Sequence, residues 1–141
     1  MIAKDRLLHA AVAGLAGGAV MLAMLGKVEG NVLAFALPAV AGAFLAGLAC
    51  ADLFRFPGRR GLVFAALGAV AATLLGAAIA GLGLGLFIGP TIAGAWIAPT
   101  AVAVALVTQP AVLLTWAVFM TLTSLLFRRM APAPDQVGTS T

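Results

Sequence analysis

Charged side chains are scarce in this chain of 141 residues, of which only 9% are Asp, Glu, Lys or Arg and 64% are hydrophobic. Soluble domains are nearer to one quarter charged, and a water-soluble globule of this length needs far more polar surface than these residues provide. Disordered chains are polar and charged, so the same scarcity excludes disorder. The remaining class is an integral membrane protein.

Cysteine and histidine occur once each, and tyrosine is missing. Cys50 alone cannot form an intramolecular disulfide or a thiolate cluster, and His9 alone cannot supply both axial ligands of a bis-histidine haem. The basic residues form no stripe interleaved with aromatic side chains, so we expect no nucleic-acid binding. No metal-ligand spacing, nucleophile–base pair or phosphate loop occurs. We therefore expect no catalytic residue, no metal site, no cofactor and no enzymatic activity.

Long apolar runs take the place of the missing charges. A bilayer core takes about 20 residues of helix. Four such spans are predicted, at about 7–25, 32–54, 62–84 and 100–127. Together they form a single transmembrane helical domain over residues 1–130, followed by a short polar C-terminal tail at 131–141.

The uncharged stretch from Leu62 to Phe127 leaves an alternative open. It is long enough for two generous crossings or three tight ones. With two crossings, the glycines and prolines from Gly85 to Pro99 form a loop between them. The alternative is a re-entrant segment or a fifth span around 85–108. The segments 35–46 and 87–98 resemble each other, and a true repeat would favour the re-entrant form.

The few basic residues favour four spans. With four, seven of the eight lysines and arginines fall on one side of the membrane, and Lys27 alone faces the other. A fifth span would move Arg128 and Arg129 across and remove the asymmetry that the positive-inside rule describes. We therefore predict an all-α integral membrane protein of the inner (cytoplasmic) membrane, with four transmembrane helices and both termini cytoplasmic.

Glycine and alanine recur at four-residue spacing in the first three spans. Apolar helices gain little from meeting each other in lipid, so close backbone approach between small residues has to hold them together. We expect helix packing at Gly14, Gly18, Ala43, Gly47, Gly76 and Gly81. These faces serve either the internal contacts of the bundle, which we favour, or contacts with another copy or subunit.

Gln109 is the polar residue predicted to lie deepest in the membrane. It follows Thr100 by about nine residues, or roughly 13 Å of helix, which places it near the bilayer midplane. Pro110 removes a backbone donor and leaves a carbonyl one turn earlier without its partner. With Thr108, these groups either coordinate a substrate or ion, or make an interhelical hydrogen bond that fixes a kink. Trp116 lies deeper than an interfacial tryptophan, which indicates a protein neighbour or a bound lipid.

His9 and Asp52 are predicted near the cytoplasmic ends of the first two helices. If these helices pack antiparallel, both residues lie at a similar depth, together with Arg6 and Arg55. We expect an interfacial cluster of ion pairs and hydrogen bonds, in which Asp52 can pair with Arg55 on one helix face. A pH-sensitive gate built on His9 is the alternative.

The function predicted from these features is that of a non-catalytic accessory or structural subunit of a larger membrane complex. Ionisable groups are missing from the membrane interior, whereas small-residue faces are plentiful. The alternative is a small oligomeric channel or passive transporter for a small solute, with Thr108, Gln109 and the segment 85–99 lining its path. The expected partners are the lipid bilayer and either other membrane-protein subunits or further copies of this chain.

Overall fold

The computed structural model describes residues 2–25, 32–54, 58–88 and 92–130. Five α-helices fill these ranges: α1 (Ile2–Leu25), α2 (Val32–Cys50), α3 (Gly58–Ile88), α4 (Ala93–Thr108) and α5 (Pro110–Met130). A single turn of 3-10 helix, Ala51–Phe54, extends α2. The described ranges contain no strand, which confirms the all-α prediction.

Three of these helices are long and apolar enough to cross a membrane. Their candidate spans are Lys4–Leu25, Leu33–Phe54 and Arg60–Gly85. α4 and α5 satisfy the combined criterion of length and apolarity together, as Ala93–Thr108 with Pro110–Leu126, and they meet at an angle of 103°. The described residues therefore provide three candidate spans, or four if the bent pair is one span. Helices this apolar are those of a membrane-embedded protein, while the inner membrane and the orientation of the termini stay predictions.

The fourth predicted span, 100–127, is not one straight helix. The chain breaks at Gln109, whose backbone is extended with φ −117° and ψ 101°. Pro110 lacks the N–H that a continuous helix would need there. The predicted loop is also largely helical, since α3 continues to Ile88 and α4 begins at Ala93. The pair α4–α5 is thus a broken span or a re-entrant loop, and we call it the broken arm.

Some parts of the sequence prediction lie outside the described residues. They include the polar tail at 131–141 and Lys27, the single basic residue predicted on the far side of the membrane. Residues 89–91, at the centre of the predicted loop, lie outside as well.

α1, α2 and α3 pack side by side with α2 in the middle, and we call this group the three-helix layer. Glycine makes the approach close enough for backbone to touch backbone. A Cβ atom on Gly42 would overlap the carbonyl oxygen of Gly76 and lie 2.9 Å from the amide nitrogen of Ala80. A Cβ atom on Gly47 would lie 3.1 Å from the Cα atom of Ala10. No larger residue is compatible with these helix separations, because Cβ atoms do not approach other atoms so closely.

α4 crosses one face of the three-helix layer. It begins against α3, where Gly94 meets the backbone of Gly81. Its last turn reaches α1, where Ala105 packs in one buried cluster with Val20 of α1 and Val112 of α5. The broken arm therefore connects the two outer helices of the layer, and α2 lies beneath it.

α5 then returns along α1 in the opposite direction. Val112 lies beside Val20, in the last turns of α1, whereas Trp116 and Met120 pack against the buried cluster that includes Phe54. α5 packs closely on α1 but not on α3. Trp116 contacts both buried clusters and so joins the arm to the layer.

Candidate functional site

The helix break at Gln109 exposes backbone and amide groups in apolar surroundings. The N–H of Gln109 donates to the carbonyl of Ala105 at 2.8 Å, and the N–H of Leu113 donates to the carbonyl of Gln109 at 3.1 Å. The Leu106 carbonyl would accept from residue 110 in a continuous helix, but Pro110 has no N–H to donate. The side-chain amide of Gln109 is exposed and makes no hydrogen bond within the part of the chain that the structure describes. The break therefore leaves hydrogen-bonding capacity unused.

The break lies near one end of the bundle. Gln109 and Thr108 line a groove of about 580 Å³ with Met24 and Trp96, and we call it the Gln109 groove. Met24 is in the last turn of α1, 18 residues or roughly 27 Å of helix from Arg6. The predicted depth of Gln109 near the midplane is measured along a straight helix, whereas the chain is broken at Gln109, and the depth in a bilayer stays a prediction. The sharp bend instead keeps Gln109 level with the end of α1.

Trp116 is held at the centre of the molecule by α3. Its Nε1–H donates to the hydroxyl oxygen of Thr73 at 2.8 Å, and the Thr73 hydroxyl donates to the carbonyl of Ala69 at 2.7 Å. The sequence indicated a protein neighbour for Trp116, and α3 of the same chain is part of that neighbour. Sequence reasoning did not predict the bond between Thr73 and Trp116. A threonine in an apolar helix usually bonds to its own preceding turn, as this one also does.

A cavity of about 510 Å³ lies between the three-helix layer and the broken arm, and we call it the central cavity. α3 contributes a stripe of small residues to its wall, namely Thr73, Ala77, Gly81 and Gly85. The arm contributes larger side chains, among them Trp116 and Phe119. A small-residue stripe indicated close helix packing in the sequence, but here the arm does not come close enough to fill the space. Sequence reasoning missed this cavity for that reason.

The opposite end of the bundle holds the ionic cluster. Arg6 of α1 donates from Nη2 to Oδ2 of Asp52 at 2.6 Å, with side-chain exposures of 42% and 62%. His9 is 1% exposed, and its ring centroid lies 4.7 Å from that of Phe54. The structure thus brings His9 and Asp52 to the same end of α1 and α2. The pairing expected between Asp52 and Arg55 falls outside the described residues.

The predicted packing residues lie at helix contacts. Gly14 and Gly18 of α1 face Val40 of α2, and Gly47 faces α1 at Ala10 and Ala13. Gly76 faces Ala43 at the crossing of α2 and α3, whereas Gly81 faces α4. Five of the six positions therefore belong to the layer, and Gly81 alone receives the arm.

The hydroxyl groups of the arm are satisfied within its own helices. Each donates to the carbonyl four residues earlier, at 2.7–2.9 Å, in Thr100, Thr108, Thr115, Thr121, Thr123 and Ser124. These side chains thus do not need water or a solute as a partner. In the described ranges, no group of three or more His, Cys, Asp or Glu residues is placed to hold a metal ion.

Comparison with known proteins adds no assignment to these sites. No protein-family model, no curated protein and no solved structure matches the chain.

Proposed function

We propose that the chain is a non-catalytic accessory or structural subunit of a larger membrane complex, and that a partner helix contacts it at the Gln109 groove. The observation that carries this proposal is the exposed polar break in an otherwise apolar arm. Around the break the surface is strongly apolar, with Trp96 78% exposed and Val107 87% exposed.

The groups at the break lie level with the end of α1, where a candidate span ends. A subunit that packs there displaces water or headgroups from an exposed carbonyl and amide, which is unfavourable unless that subunit supplies polar partners in their place. The Leu106 carbonyl and the Gln109 amide together offer acceptors and donors side by side. A polar side chain on a neighbouring transmembrane helix can pair with both, while the exposed apolar residues of α4 pack against the rest of that helix. This combination suits a subunit contact.

The alternative function, a small oligomeric channel or passive transporter, receives less support from the geometry. Its path was predicted to be lined by Thr108, Gln109 and the segment 85–99. Thr108 and Gln109 line the Gln109 groove together with Trp96 of that segment, whereas its residues Gly85, Gly94 and Ala98 line the central cavity. The wall of the central cavity is apolar, and such cavities stay dry, which opposes the passage of an ion or polar solute.

The test is extraction in mild detergent followed by native mass spectrometry of the wild type and of Gln109→Leu. We expect foreign subunits at fixed stoichiometry with the wild type. We expect about a tenfold weaker association in the variant, because an interhelical polar contact contributes about 1–2 kcal/mol. Thr121→Val is the matched control, since Thr121 is exposed on α5 and its hydroxyl bonds within its own helix.

Two outcomes would contradict the proposal. The first is a wild-type chain that is extracted without foreign subunits, as a monomer or a homo-oligomer, which would show that it is not part of a larger complex. Solute flux in liposomes that Gln109→Leu abolishes and Thr121→Val preserves would support the channel instead.

A further inference from the structure

We infer that the central cavity binds one acyl chain of a membrane phospholipid, which enters it sideways between α3 and α5. The cavity adjoins the Gln109 groove, since Met24, Ile97 and Ala101 line both, but the inference does not depend on the proposed subunit contact. It rests on the wall and the opening of the cavity.

The wall of the central cavity has no group left to hold water. The residues that line it in the described ranges are almost all Ala, Gly and larger apolar side chains. The polar exceptions are the Thr73 hydroxyl and the Trp116 indole N–H, which bond to each other. A buried water needs two to four polar partners, so this cavity does not retain water. Left empty, the wall would lose the dispersion contacts that a packed interior makes.

The opening follows from which helices touch. α1 packs on α2 and α5, and α3 packs on α2 and α4, but α3 and α5 make no extensive contact in the described ranges. The Trp116–Thr73 hydrogen bond is a bridge across this gap. At the end marked by Gly81 and Gly94, α4 crosses the layer and covers the cavity. The cavity is partly open, and the weak contact between α3 and α5 places its opening on the lateral side of the bundle.

The path of α4 opposes a helix as the occupant of the cavity. α4 crosses the layer at the end marked by Gly81 and Gly94, and it blocks the straight path that a transmembrane helix would need. The tail at 131–141 contains Asp135 and Gln136, and the apolar wall offers these side chains no partner. A flexible hydrocarbon chain can enter through the side gap and matches the chemistry of the wall.

Trp116 provides the probe, because it lines the cavity and the chain has only one other tryptophan, Trp96. In a Trp96→Phe background, the protein is reconstituted in phosphatidylcholine vesicles that carry bromine at mid-chain. Ala77→Leu fills the cavity from α3, and Val102→Phe fills it from α4 without lining the Gln109 groove. Ala71→Leu is the control, since Ala71 is exposed on α3 and does not line the cavity.

We expect both filling variants to lower bromine quenching of Trp116 at least twofold, and the control to leave it unchanged. Equal quenching in all three variants would overturn the inference, because Trp116 would then sense only the surrounding bilayer. Two filling variants on different helices are used because a packing defect caused by one of them is not expected to recur in the other.

Native mass spectrometry gives the second readout. We expect the wild type to retain one phospholipid per chain and both filling variants to lose it. A retained free fatty acid, a dimer without lipid, or a bare chain from the wild type would each overturn the inference.

Discussion

The three-helix layer and the broken arm use the same small residues with opposite results. In the layer, Gly42 faces Gly76 and the two backbones touch. At the arm, Gly81 meets Gly94, but Ala77 one turn away faces a cavity. Two helix backbones touch here where both helices present glycine or alanine at the same level. Where large side chains such as Trp116 and Phe119 stand opposite, the same stripe becomes the wall of a cavity.

The largest effect is expected inside the layer, from Gly42→Ala. The new Cβ would overlap the Gly76 carbonyl oxygen, and backbone cannot move aside without separating α2 from α3. We expect a loss of about 2–3 kcal/mol in the free energy of unfolding, typical of overpacking, even though alanine is the better helix former by about 1 kcal/mol. Unfolding by SDS titration from mild detergent measures it.

Gly83→Ala is the matched control for Gly42→Ala. Its Cβ would lie 3.5 Å from Pro38 Cβ, an ordinary contact, so stability should stay equal or rise by up to about 1 kcal/mol. If both variants lower the free energy of unfolding equally, then close backbone contact between α2 and α3 is not what makes the layer sensitive to a larger residue.

A smaller and more local effect is expected at the arm, from Gly94→Ala. Its Cβ would overlap the Gly81 carbonyl oxygen, but α4 packs mainly on α3, whereas α2 is held between α1 and α3, so α4 can shift more easily. We expect a cost of about 1–2 kcal/mol, with hydrogen exchange faster in 93–108 and unchanged in α2. Loss of protection spread evenly over α2 and α4 would show that arm and layer are one cooperative unit.

The smallest effect is expected from Trp116→Phe, which removes the hydrogen bond between arm and layer. Thr73 keeps its bond to the Ala69 carbonyl, so no buried polar group is left unsatisfied. We expect a cost of about 1 kcal/mol, and a coupling energy of about 0.6 kcal/mol in a double-mutant cycle with Thr73→Val. Zero coupling would mean that packing alone, and not this bond, links the two regions.

The first three helices could be predicted from the sequence because charges mark their limits. The prediction 62–84 compares with the candidate span Arg60–Gly85, and 32–54 with Leu33–Phe54. Hydrophobic length determines such spans without any knowledge of tertiary contacts. The expected cluster of His9 and Asp52 followed from the same reasoning, since both residues lie close to helix ends.

The geometry of the arm could not be predicted in the same way. Pro110 predicts a missing hydrogen bond, but neither the 103° angle between α4 and α5 nor the contact of Gly94 with Gly81 follows from a local pattern. Residues this distant in the sequence reveal their contact only in the folded chain. The angle at Gln109 and the cavity beneath the arm were therefore not foreseen.

The crossing path of α4 has a consequence for topology. Because α4 runs across the layer from α3 to α1, it uses 16 residues without carrying the chain back along the bundle. α5 makes that return, so the chain travels the length of the bundle an even number of times. Ile2 and Met130 thus begin and end the described helices at the same pole. If α1, α2, α3 and α5 each cross a bilayer, we predict that reporters fused to the two ends share one compartment, and that an antibody that reaches one end reaches the other.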